Sequence, residues 1–101
     1  MVYFLYALAG ALLVNAVPHL VHGVSGSSFQ TPFASPPGVG ESSALVNVYW
    51  GGFNLVAGYS LLSYAGFFVV GVNLDTLSLI IGAMILASYL ALHFSKVRHP
   101  K

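Results

Sequence analysis

Polar positions in this 101-residue chain fall into a few narrow clusters, and between them the sequence is almost continuously apolar. Only Glu41, Asp75, Lys96, Arg98 and Lys101 are charged at neutral pH, which leaves three charge-free stretches: 1–40, 42–74 and 76–95. A bilayer core is about 30 Å thick and is crossed by roughly 20 apolar residues in a helix. Each stretch can supply one span. The pattern therefore predicts an all-α membrane protein forming a single membrane domain over 1–101. Its three transmembrane helices are expected at about 2–24, 43–70 and 76–95, with an ordered Pro/Gly-rich loop over 25–42.

Local signals refine the elements. No Lys or Arg precedes the first apolar run, and the run outlasts any plausible cleavage point, which favours a span over a secretory signal. Tyr3 and Tyr6 suit an interfacial aromatic belt. Pro18 deprives the first helix of one backbone hydrogen bond and is expected to kink it near Val14. The loop holds Pro32, Pro36 and Pro37 together with Gly38 and Gly40, too broken a run for a helix. Phe29 and Phe33 are apolar anchors expected to hold it against the bundle or the interface. Ser42 or Ser43 is the expected N-cap of the second helix, and Asp75 or Thr76 that of the third, after a turn at Gly71, Asn73 and Asp75.

Composition narrows the function classes. Hydrophobic residues make up 57% of the chain and charged residues 5%, with a mean hydropathy of +0.87. An ordinary soluble domain carries about 25% charged residues, so a soluble enzyme and a disordered chain are both excluded. A net charge of +1 gives no electrostatic footprint for nucleic acid. The absence of cysteine removes disulfides, thiolate metal sites and a Cys nucleophile. All three basic residues, Lys96, Arg98 and Lys101, are expected beyond the last helix. The positive-inside rule then places the C-terminus and the Pro-rich loop in the cytoplasm, and the N-terminus and the Asn73 turn outside.

Helical spacing assigns one small or polar stripe to each helix. On the first it is Ala7, Ala11, Asn15 and His19, with His22 one turn on. On the second it is Asn47, Gly51, Asn54, Gly58 and Ala65, and on the third Ala83, Ala87, Ala91 and Ser95. Small residues let helix backbones approach closely in lipid, so the stripes predict three helices packed through facing seams. The same residues serve equally as glue within one chain or as an interface between chains.

Intramembrane polar residues are costly and are functional candidates by default. The topology gathers His19, His22, Glu41, Asn47 and His93 toward the cytoplasmic face, with Asn15 and Asn54 deeper. Three uses are open. His19 and His22 at i, i+3 spacing, completed by His93 or Glu41, would suit Zn, Fe or Cu. His19, His22 and Glu41 would suit acid–base chemistry or proton handling. Alternatively these groups tie the loop to the helix ends. Trp50, with Tyr49 and Phe53, reads as an interfacial belt or as the wall of a pocket for a hydrophobic ligand. No cofactor follows from the residues.

Asn15, Pro18, His19 and Gly23, the run from Phe29 to Ser43 (FQTPFASPPGVGESS), and then Asn47, Trp50, Gly51 and Asn54 form a distinctive series. It resembles a family of small bacterial integral membrane proteins to which no function is assigned. The resemblance covers about residues 10–60, and a His near the end of the third helix also fits it. It implies a bacterial inner-membrane protein of this size whose working part is the loop and its polar flanks. It carries no catalytic residue across.

The expected function is therefore non-enzymatic action within an assembly in the lipid bilayer, as a homo-oligomer or as an accessory subunit beside other membrane subunits. Three helices enclose too little volume for a solute pathway of their own. One alternative is a small membrane enzyme or metal/cofactor-binding protein using the His/Glu/Asn cluster. A third reading, an oligomeric transporter or channel, is disfavoured because no charged residue lies at mid-membrane.

Overall fold

The computed structural model describes residues 1–100 and is all-helical apart from one short ladder. Helix α1 spans Val2–Val24, α2 Ala44–Ala65 and α3 Leu74–Arg98. Between α1 and α2, β1 (Phe29–Gln30) pairs antiparallel with β2 (Glu41–Ser42), Phe29 opposite Ser42 and Gln30 opposite Glu41. α1 and α3 are long and apolar enough to cross a membrane. α2 has comparable length, 22 residues, but Asn47, Asn54 and its glycines and serines make it more polar.

Each helix end has a local cause. Ser43 caps α2 by accepting a hydrogen bond from the Val46 amide at 3.2 Å. α2 stops at Ala65, short of the expected Val70. Gly66 takes φ 157°, which L side chains rarely adopt. Beyond it, the Asp75 carboxylate accepts from the Val69 amide, the Thr76 hydroxyl from the Gly71 amide, and the Asn73 amide donates to the Val69 carbonyl. These side chains hold backbone groups that a continuing helix needs. The cap of α3 is Asn73, whose Oδ1 accepts from the Thr76 amide at 2.8 Å, rather than the expected Asp75 or Thr76. Asp75 instead sits in the first turn, where the helix dipole favours it. α3 also runs past the expected Ser95, so Lys96 and Arg98 lie in its last turn, the favourable end for cations.

α1 is the central helix. α2 lies antiparallel along one side of it and α3 parallel along the other, while α2 and α3 make at most marginal contact with each other. Glycines set both crossings. Along α2, Gly51 sits under Leu20 and Gly58 under Leu13, while Gly23 of α1 receives Val48. Between α1 and α3, Gly82 meets the Ala7 backbone, and Gly10 meets the backbone of Leu79 and Ala83. Added methyl groups at Gly10 and Gly82 would fall on carbonyl oxygens, so this is a backbone-to-backbone crossing.

The expected α3 seam faces α1 over only part of its length. Gly82 is the one buried residue of α3 among those described, and Ala83 lies beside it against Gly10. Ala87 is half-buried, and Ala91 and Ser95 are exposed. Strict fourth-residue spacing drifts by about 40° per step on a helix of 3.6 residues per turn. A stripe that starts at the α1 contact has therefore rotated away from it by Ser95.

Candidate functional site

The polar residues gather at the end of the bundle where the 25–43 segment folds back over α1. Asn47 is the hub. Its Nδ2 donates to the carbonyls of Phe29, Ser42 and Ser43 at 3.2, 3.1 and 3.0 Å, joining β1, β2 and the start of α2. Three carbonyls around one nitrogen fix the amide orientation, so Oδ1 is the acceptor. It lies 2.7 Å from Nδ1 of His19, which must then carry the proton. His19 is thus held as the Nδ1–H tautomer, with the lone pair on Nε2. Asn47 and His19 are both buried, at 0% and 3% exposure.

Phe29 is the apolar half of the same latch. It is 3% exposed, stacks on His22 at 4.2 Å, and meets the edges of His19 and Phe94. The Arg98 guanidinium covers it at 4.7 Å, close enough for a cation–π contact. Arg98 Nη1 also donates to Gln30 Oε1 at 2.9 Å and lies 3.9 Å from Glu41. Glu41 accepts from Ser28 and Gln30. Thr31 and Ser42 share a hydroxyl hydrogen bond at 2.6 Å, and His93 Nε2 donates to the Gly38 carbonyl at 2.8 Å. Every element of the loop is thereby tied to a helix.

The ion pair is the weak part of this latch, because Arg98 and Glu41 side chains are 29% and 46% exposed and exposed pairs contribute about 1 kcal/mol or less. Glu41→Gln, measured by SDS unfolding in mixed micelles, is expected to cost no more than that. A larger loss would mean that Glu41 carries a structural charge.

Below the latch, the gap between α2 and α3 opens as a cavity of about 290 Å³. Asn15, His19, Trp50, Tyr89 and His93 line it beneath Thr31. Asn15, Tyr89 and Leu90 also line a second hollow, which continues between the helices past Leu8, Ala11, Leu12 and Leu86. At the join, Asn15 Nδ2 donates to Asn54 Oδ1 at 3.1 Å, and Asn54 Nδ2 donates to the Trp50 carbonyl at 2.8 Å. Trp50 Nε1 is buried and has no hydrogen-bond partner.

The seven polar candidates divide into three groups. His19 and Asn47 bond to each other, Asn15 and Asn54 form a separate pair, and Glu41, His22 and His93 serve the loop through different partners. The small residues divide as well. Ala7 meets Gly82, Ala11 lines the lower hollow, Gly51 and Gly58 take leucines of α1, and Ala65 is half-buried at the end of α2.

No three His, Cys, Asp or Glu side chains among the described residues come together to hold a metal ion. The three candidate histidines have separate partners: His19 bonds Asn47 through Nδ1, His22 stacks on Phe29, and His93 bonds the Gly38 carbonyl. Sequence reasoning missed Gln30, Thr31, Tyr89 and the inward role of Arg98. The last could have been found, since Arg98 lies one turn beyond Phe94 and shares its helix face. Comparison with protein-family models, curated proteins and solved structures finds no match to this chain.

Proposed function

We propose that this chain is a small three-span protein of the bacterial inner membrane that acts non-enzymatically within an assembly, as a homo-oligomer or an accessory subunit. In this reading α2 is the third span. It lies alongside α1 from Gly23 to Ala9, turns Asn47 and Asn54 inward, and leaves Leu45, Phe53, Leu55, Val56 and Tyr59 exposed, an arrangement suited to lipid. The basic end of α3 supports an orientation with the loop and the C-terminus in the cytoplasm and the N-terminus outside.

One observation carries the non-enzymatic part. The conspicuous polar side chains bond loop carbonyls, loop side chains and each other, and among the described residues no nucleophile is paired with a base. For the assembly, the exposed flank formed by α1 and α3 offers Ala87 and Ala91 beside Val17 and Pro18 around a shallow hollow. Small side chains at such a place admit the close approach of another helix in lipid. Ala91→Leu, measured by light scattering in mild detergent with circular dichroism as the folding control, is expected to reduce the assembly mass and leave helicity unchanged. Full mass retained in the variant removes this flank as the interface.

A further inference from the structure

We propose that the cavity between α2 and α3 binds a lipophilic phenol, its hydroxyl-bearing ring in the cavity and its apolar tail along the groove toward mid-membrane. The inference is independent of the assembly proposed above.

The chemistry of the walls selects the head group. Asn47 fixes His19 as the Nδ1–H tautomer. The opposite nitrogen, Nε2, is an acceptor and has no partner among the described residues. It is not sealed in, because Trp50 Nε1 is the one side-chain polar atom among them that is both buried and unpartnered. Asn15 Oδ1 is a second unbonded acceptor, its Nδ2 being spent on Asn54. A ligand must therefore bring a donor. Trp50 Nε1–H, in the same wall, wants an acceptor. A hydroxyl meets both needs, donating to His19 and accepting from Trp50 after a small shift of the indole. An ether or ketone could meet only the second.

Neutrality and size narrow the class further. Among the described residues no Asp, Glu, Lys or Arg lines the cavity, and an ionic head would enter it without a counter-charge from them. A volume of about 290 Å³ holds a ring-sized head and little more, the low end for ligand sites. Trp50, Tyr89, His93 and Phe94 give the cavity aromatic walls suited to a ring. The continuation past Ala11, Leu12 and Leu86 is apolar and suits a hydrocarbon tail.

Trp50 is the chain's one tryptophan, so its indole N–H gives a single reporter signal in a ¹H–¹⁵N spectrum. The test titrates the full chain in nanodiscs with 4-pentylphenol, 4-pentylanisole and 1-decanol. The expected result is a saturable shift with the phenol at a concentration roughly tenfold below that needed for either control, the worth of about one hydrogen bond plus the ring contacts. His19→Asn keeps a side-chain N–H at the Nδ1 position for Asn47 and removes the Nε2 acceptor. It is expected to abolish the preference for phenol over anisole. Equal response to phenol and anisole, a decanol response matching the phenol, or a preference surviving in His19→Asn would each overturn the proposal. Should that variant fail to fold, the three-ligand comparison on the native chain decides alone.

Discussion

Asn47→Ala is expected to destabilise the protein by about 3 kcal/mol, from hydrogen bonds worth about 0.6 kcal/mol each on average and about 1.7 at most in membranes and a buried donor left unpaired at about 1–3 kcal/mol. The substitution removes the amide that donates to Phe29, Ser42 and Ser43 and strands the Nδ1–H of His19. The Ser43 carbonyl suffers least, because it also accepts from the Asn47 backbone amide. SDS unfolding followed through Trp50 fluorescence measures the loss. A double-mutant cycle sharpens it. His19→Phe alone should also be costly, leaving Asn47 Oδ1 buried without its donor. Combined with Asn47→Leu, it should cost clearly less than the sum of His19→Phe and Asn47→Leu measured singly, since removing both partners leaves no orphan between them. Strict additivity would mean that His19 and Asn47 act separately and that the latch has no hub.

Gly82→Val is the second large effect. The new side chain would be driven onto the Ala7 backbone, and neither helix backbone can yield as a flexible side chain would. Overpacking of this kind costs about 1–3 kcal/mol where side chains can adjust, so a loss at or above the top of that range is expected. α3 should lift from α1 while the α1–α2 pair, held at Gly23, Gly51 and Gly58, keeps its packing. Trypsin provides the readout, since Arg98 is tethered to Gln30 and Glu41 in the intact bundle and should be cut faster once α3 is loosened. Gly52→Ala is the matched control, because nothing lies within 4 Å of a methyl group there. It should stay within about 1 kcal/mol of the native chain. Similar losses at both glycines would dismiss the close crossing.

The helices and the polar end of the bundle were legible in the sequence to different depths. Apolar length located α1 and α3, because a charge-free run of this kind has few other uses. The end of α2 was not legible. Phe67, Phe68, Val69 and Val70 continue its apolar run, and what stops the helix is the conformation of Gly66 and the capture of the Val69 and Gly71 backbone by residues that follow. On α3 the alanine stripe runs beside the closest crossing, which falls at Gly82, one residue before Ala83. Gly10 and Gly82 look like any other membrane glycines until the two backbones are seen to cross. His19, Asn47 and Glu41 stood out as polar residues in an apolar chain. Their partners did not, because these are mostly loop carbonyls, whose positions depend on the β1–β2 pairing and carry no side-chain signature. The cavity was likewise hidden. It exists because α2 and α3 both pack on α1 and splay from each other, a three-body arrangement that no single stripe encodes.

Native mass spectrometry of the protein extracted gently from its own membranes tests the proposed assembly. The expected mass is two or more times 10.6 kDa, or one that includes other membrane chains. A lone 10.6 kDa chain, obtained under conditions that preserve known membrane complexes in the same extract, would contradict it.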